Sequence, residues 1–181
     1  MIFNPLFNRR ILVIDDDQVI HDLFRRILLK TRVLPEENKS PLFSEPSGNS
    51  QMPAFEVDSA YQGQDGLVLI EKSLQENRPY ALAFVDVRMP PGWDGIKTTC
   101  QIWDKYCDLQ VVICTAYSDY SWEKMVAPLG YLDRILILQK PFENIEVLQL
   151  AVAMTEKWRI NQQTKLRVNN LETLVQCLRS R

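Results

Sequence analysis

The sequence predicts an α/β fold: a doubly wound parallel sheet of five strands, followed by an extended C-terminal helix. Three observations carry that expectation. Short apolar runs alternate with amphipathic segments along most of the chain, the pattern of strands exchanging with helices that cover both faces of a parallel sheet. Several of those runs end on a carboxylate, a hydroxyl or an amine rather than on a turn residue. The segment from Asn144 onward contains neither Gly nor Pro and reads as one long helix.

The elements follow in order. The run "ILVIDDD" (11–17) is the first strand and ends on acids; Val19, Ile20, Leu23, Phe24, Ile27 and Leu28 then recur at helical spacing. Residues 31–53, with "PEENKSPLFSEPSGNSQMP", break the pattern and read as a loop insertion with few apolar groups to offset the entropy of ordering it. "FEVDSA" (55–60) is a strand and 62–76 a helix. "YALAFVDV" (80–87) is a third strand, a short apolar run closed by the turn residues of "MPPG" and therefore buried on both faces. A helix is expected over 95–106, a strand at "LQVVICTA" (109–116), a helix over 119–129 and a fifth strand at "RILILQK" (134–140).

Composition bounds the function. At 181 residues with 46% hydrophobic content, the chain has material for one sizeable core and an extension. A formal net charge of -2 argues against direct nucleic-acid binding or attraction to an anionic membrane. The segment from Lys157 to Arg181 is basic, with six Lys/Arg against one Glu, and is expected to be a solvated helix face. No apolar run reaches the length of a membrane span, and "MIFNPLFNRR" has its charges after its apolar residues, the reverse of a secretory signal. Four cysteines without a CxxC pair, and a single histidine, point away from zinc and disulfides and toward a reducing cytoplasm.

The strand ends carry the chemistry. Strand one closes on Asp15-Asp16-Asp17, strand three on Asp86, strand four on Thr115 and strand five on Lys140. In a doubly wound sheet all carboxyl ends lie along one edge, where ligands bind. One acid there is adequately explained as a helix cap; four matched ends are not. Carboxylates without histidine or thiol make an all-oxygen site suited to Mg²⁺ or Mn²⁺. A lysine and a threonine beside them can bind phosphoryl oxygens, and an aspartate can itself be the nucleophile.

With "ILVIDDD", "FVDVRMP", "VVICTA" and "LQKPF" in this order over residues 9 to about 150, the chain resembles the receiver domain of bacterial two-component response regulators, a CheY-like, flavodoxin-like family. The resemblance implies strand order 2-1-3-4-5, an order that general accounts of doubly wound folds illustrate with a member of this family. It implies Asp86 as phosphoacceptor, Asp15 and Asp16 as the acidic pair with Asp16 the more direct metal ligand, and the Arg88 backbone carbonyl as a further ligand. Thr115 and Lys140 become the hydroxyl and the lysine, and Lys140-Pro141 a cis peptide. It further implies that Mg²⁺ or Mn²⁺ is required, that a sensor histidine kinase or phosphotransfer protein donates the phosphoryl group, and that the chain catalyses only its own phosphorylation and slow self-dephosphorylation. On this reading residues 1–150 are the receiver and 151–181 a helical linker toward an output domain. The turn "MPPGWDG" is one residue longer than the family's, and Ile137 stands where its switch aromatic is usual.

Simpler readings accompany these. His21 is expected to be solvated on the polar side of the first helix, Cys114 to be core, Asp17, Asp94 and Asp119 to be caps, and Tyr117, Tyr120 and Trp122 to be packing residues. Gly63 and Gly66 form no phosphate loop. Leu150, Met154, Lys157, Asn161, Thr164, Val168, Leu171, Val175 and Leu178 share one heptad a/d frame. That frame predicts a parallel homodimer through a coiled coil, with a single helix folded back on the domain as the alternative. The rival function is a haloacid-dehalogenase-type phosphohydrolase, with Asp15 as nucleophile and Asp17 as acid/base in "VIDDDQVI". It would need another acid-bearing strand after Lys140 and leaves "FVDVRMP" unexplained. A third reading is a degenerate receiver serving only as a binding module, against which the full acid–Thr–Lys set argues.

Overall fold

The computed structural model describes residues 8–29, 54–116, 127, 129–130 and 134–179. The 31–53 insertion, residues 119–126 of the helix expected over 119–129, and Tyr117, Asp119, Tyr120 and Trp122 lie outside them. The elements are β1 (Arg10–Ile14), α1 (Gln18–Leu29), β2 (Glu56–Ala60), α2 (Gly63–Gln75), β3 (Leu82–Asp86), α3 (Gly95–Lys105), β4 (Gln110–Ala116), β5 (Ile135–Lys140) and α4 (Asn144–Arg179). All five strands are parallel, in the order β2-β1-β3-β4-β5. Fold class and strand order are those expected, and each expected strand among the described residues is present.

Strand alternation divides the core in two. Leu12, Ile14, Ala83, Val85, Val111 and Ile113 face α2 and α3, where Ile70, Ile102 and Trp103 complete one cluster. Ile11, Val13, Leu82, Phe84, Val112 and Cys114 face α1 and α4, meeting Phe24, Leu28, Val147, Ala151 and Met154. Phe24 is the centre of that second layer, with its ring 4.6 Å from Phe84 and 5.5 Å from Phe142. Burying a side chain of this size contributes about 1.5–3 kcal/mol. Cys114 is core, as expected, and burial pushes its thiol well above the usual cysteine range, so it is not a nucleophile.

Helix α1 is rotated from the expected phase. Its fully buried stripe is His21, Phe24 and Leu28, at spacings of three and four, while Val19 is 68% exposed. His21 is therefore not solvated, a correction taken up below. Gly63 at the start of α2 is a packing glycine rather than part of a phosphate loop: a Cβ there would lie 2.0 Å from the Thr98 hydroxyl oxygen of α3.

Helix α4 has two halves. Val147, Ala151, Met154 and Trp158 form a stripe buried against the sheet, and the Trp158 indole N–H donates to the Tyr106 hydroxyl at 2.7 Å. Gln162 then donates to Asp108 Oδ2 at 2.9 Å, and Lys165 donates to Oδ1 of the same carboxylate. Burial raises the Asp108 carboxyl, but these contacts outweigh it and hold it below its ordinary value. Beyond this clamp, residues 164–179 are exposed. The heptad frame thus cannot begin at Leu150: Leu150 packs on the domain's own core and Met154 is only 4% exposed. The folded-back alternative also fails for the distal half, where Val168, Leu171, Val175 and Leu178 stand in solvent.

Candidate functional site at the carboxyl edge of the sheet

Four of the five strands deliver a polar residue to the same edge. β1 stops at Ile14, so Asp15 is the first residue past it, while β3 and β5 end on Asp86 and Lys140. β4 runs one residue beyond Thr115, and its register pairs Ala116 with Lys140. The loops after the strands are fixed by their own side chains. Asp15 Oδ1 accepts from the Asp17 amide at 2.9 Å, and Asp17 Oδ1 from the Val19 amide at 2.8 Å, which starts α1 and makes Asp17 the expected cap. Asp86 Oδ2 accepts from the Arg88 amide at 2.7 Å, and Asp94 caps α3 by accepting from the Lys97 amide at 2.7 Å. Gly95 allows α3 to begin against the end of β3, since a Cβ there would be 2.2 Å from the Asp86 carbonyl oxygen. Lys140-Pro141 is cis, as the resemblance implied, and Pro90-Pro91 is cis as well.

The centre of the site is an ion triad. Lys140 Nζ donates to Asp15 Oδ2 at 2.8 Å and to Asp86 Oδ1 at 2.6 Å. The two carboxylate side chains are 3% and 9% exposed and the lysine 24%. Burial pushes the Asp86 carboxyl above its usual range and Asp15 adds to the rise, with Lys140 and the Arg88 amide pulling the other way. Burial works against the charge on Lys140, but its hydrogen bonds to Asp15 and Asp86 prevail and keep the ammonium above the ordinary lysine value. The lysine is thus a fixed positive charge beside a carboxyl held above its ordinary value.

Of the residues singled out from the sequence, Asp15, Asp86 and Lys140 are in contact, whereas Asp16 and Arg88 are exposed at the rim. Thr115 is buried, its hydroxyl donating to the Ala116 carbonyl at 3.1 Å. Ile137 is half-buried and packs on the core beneath α2 and α3. The expected gathering of three carboxylates is not found: among the described residues no group of three or more His, Cys, Asp or Glu side chains could hold a metal ion. Lys140 instead stands between Asp15 and Asp86 and bonds both. The donor set nevertheless fits magnesium, which keeps several waters and needs only one or two carboxylates with further oxygen donors. Asp15 and Asp86 meet here, and a bound cation would draw on them with Asp16 and the Arg88 carbonyl as further oxygen donors.

His21 was missed. It is wholly buried, with Nε2 at 2.8 Å from the Asp15 carbonyl and its ring centroid 4.5 Å from that of Tyr61. Its place three residues before Phe24 and seven before Leu28 was the available signal.

Comparison with known proteins agrees with this architecture. No family model matches the sequence, and the search among curated proteins gave no match. Solved structures do match. One is described as an adenylate cyclase from Rhodopirellula baltica, with 20% identity over 90% of this chain and 98% of that one at a TM-score of 0.67. Another is a CheY-like response regulator receiver domain protein from Methanospirillum hungatei JF-1, with 21% identity, coverage of 85% and 98%, and a TM-score of 0.61. A third is NtrX from Brucella abortus in complex with ATP, at 18% identity and a TM-score of 0.61; the match covers 86% of this chain but 29% of the NtrX chain. The chain has the fold of response regulator receiver domains. Among the described residues no helix is long and apolar enough to cross a membrane.

Proposed function

We propose that this chain is a phosphorylation-controlled receiver in which Asp86 accepts a phosphoryl group. The single observation that carries the reading is the Lys140 ammonium bridging the Asp15 and Asp86 carboxylates at the sheet edge where doubly wound folds bind ligands. Asp86 attacks the phosphorus of a phosphohistidine on a sensor kinase or phosphotransfer protein. A new P–O bond forms, the P–N bond breaks, and its electron pair leaves with the imidazole. The Arg88 amide holds one oxygen of Asp86, and Lys140, already at the other, neutralises the oxygens of the arriving group. Thr115, one residue from the β4 end, is the hydroxyl partner of that group. Mg²⁺, or Mn²⁺, bound by Asp15, Asp16, Asp86 and the Arg88 carbonyl, would neutralise charge on the phosphoryl oxygens. Water later hydrolyses the acyl phosphate, so the chain acts only on itself. A cytoplasmic location is supported by the four cysteines, which form no CxxC pair and suit a reducing compartment. The signal leaves through α4, whose exposed Val168, Leu171, Val175 and Leu178 support a homodimer through the distal half of the helix.

The hydrolase reading has less support. Asp17, its acid/base, is engaged as the α1 cap, and only helix α4 follows Lys140 among the described residues. Intact-mass measurement after incubation with acetyl phosphate and Mg²⁺ tests the proposal. One phosphoryl group is expected on the wild type and none on Asp86→Asn; an unchanged adduct in that variant would refute it.

A further inference from the structure

The least expected group at the site is His21, and four observations converge on it. It is 0% exposed, although imidazole is a polar side chain. Nε2 lies 2.8 Å from the Asp15 carbonyl oxygen. A carbonyl only accepts, so Nε2 is the nitrogen that donates. Nδ1 is buried and has no hydrogen-bond partner among the described residues. The ring is wedged against Tyr61, whose hydroxyl in turn donates to Gln18 Oε1 at 2.5 Å.

An orphaned nitrogen in the interior costs free energy that an apolar residue at position 21 would avoid. What the imidazole supplies in return is one hydrogen bond at one carbonyl. That carbonyl belongs to the peptide joining Asp15 to Asp16. The other polar atoms of Asp15 are also held: its amide donates to the Ala60 carbonyl at 3.2 Å, Oδ1 accepts from Asp17, and Oδ2 from Lys140. Among the described residues the exposed Asp16 side chain has no such restraint, so the peptide before it governs its direction. Rotation of the Asp15–Asp16 peptide would redirect the Asp16 carboxylate.

We infer that His21 is a positioning residue: by locking the Asp15–Asp16 peptide, its Nε2–H aims the Asp16 carboxylate at a divalent cation shared with Asp86. The inference rests on the receiver reading above and adds to it a residue that touches neither metal nor phosphoryl group. Hydrogen bonds to the groups around a metal site typically alter metal affinity by about 10–100-fold when removed.

The test is calorimetric titration of the full chain with Mg²⁺ alone, comparing wild type with His21→Leu, His21→Gln and His21→Asn. His21→Leu keeps the bulk and loses the donor, and should weaken Mg²⁺ binding by ~10-fold or more. Gln can reach the carbonyl with its amide N–H and should restore affinity to within ~3-fold, whereas the shorter Asn should not; this pair decides the matter if the Leu variant does not fold. Phosphorylation by acetyl phosphate at saturating Mg²⁺ should be nearly unchanged in all folded variants, so the defect is one of affinity rather than of rate. Nitrogen-15 NMR of His21 should show protonated Nε2 and bare Nδ1 in the wild type. The opposite tautomer, or a folded His21→Leu that binds Mg²⁺ like wild type, overturns the inference while leaving the receiver reading intact. A wild type that binds no Mg²⁺ at millimolar concentration overturns both.

Discussion

Replacing Lys140 by Met removes the charge at the centre of the site while keeping the length of the side chain. The lysine makes two charge-assisted hydrogen bonds, at 2.8 and 2.6 Å, to carboxylates whose side chains are 3% and 9% exposed. Removing one partner of a buried ion pair costs about 3–5 kcal/mol, because the remaining charge is left without compensation. Here two like charges remain, but the lysine itself is 24% exposed and water can partly replace it, so the lower end applies. Lys140→Met should therefore destabilise the metal-free protein by about 3 kcal/mol at neutral pH, or roughly 6–12 °C in Tm for a chain of this size. The loss should respond to pH in two ways. Below the raised Asp86 value that carboxyl is neutral in the folded state, less repulsion is exposed, and the gap between variant and wild type narrows. Because the folded-state value of Lys140 lies above its ordinary 10.5, its contribution is complete below that pH and fades as pH rises through the folded value. Adding Asp86→Asn to Lys140→Met should recover part of the loss by removing one of the two carboxylates. Urea unfolding at neutral and acid pH measures all of this. A Lys140→Met variant within ~0.5 kcal/mol of wild type at neutral pH, a shift typical of surface substitutions, would refute the triad as a stabilising contact.

Trp158→Ala should cost about 3–5 kcal/mol in urea unfolding, since it removes a side chain that is 1% exposed together with its bond to Tyr106. A loss under ~1 kcal/mol would mean that the proximal half of α4 is not docked. Asp108→Ala should cost ~0.5–1 kcal/mol at neutral pH, because Lys165, one of the two side chains that bond Asp108, is itself half-exposed. The Asp108 carboxyl lies below its ordinary 3.8, so that difference should vanish as pH falls through the folded value, and its persistence in acid would contradict the assignment. Leu171→Asp, at a position 61% exposed, should abolish self-association in sedimentation without lowering Tm; a monomeric wild type, phosphorylated or not, would refute the dimer.

The strands were legible because two-sided burial leaves an unbroken apolar run, as in Leu82–Val85, and because a polar residue closing such a run stands out. Asp86 and Lys140 needed only that pattern and the rule that parallel strands end on a common edge. His21 was not legible by the same route. Ile20, Leu23 and Ile27 define a convincing apolar face for α1, yet they are only half-buried, and the buried stripe begins on a polar residue, His21, that periodicity assigns to solvent. In α4 two patterns overlap: Val147, Ala151, Met154 and Trp158 serve the core, while the exposed heptad residues begin further along. Met154 fits both frames, so periodicity alone does not separate them. The Asp108 clamp joins residues 54 and 57 positions apart, a separation at which sequence periodicity carries no information.

The continuity of α4 sets a mechanical scale. With 36 residues and no Gly or Pro, it behaves as one stiff rod docked along its first half and exposed along its second. From Gln162, at the clamp, to Arg179 the rod extends ~25 Å at 1.5 Å per residue, so a tilt of ~10° at the clamp carries its far end through about 4 Å. That travel approaches one full helical turn, of about 5.4 Å, and is large enough to exchange one set of side-chain neighbours for another. A displacement of only about 0.5–1 Å where Trp158 meets Tyr106, acting on a pivot a few ångströms away, would suffice to produce it. The polar contacts around Asp108 therefore act as a fulcrum, and the reach of any movement is decided by the arm beyond them rather than by the size of the motion at the sheet edge.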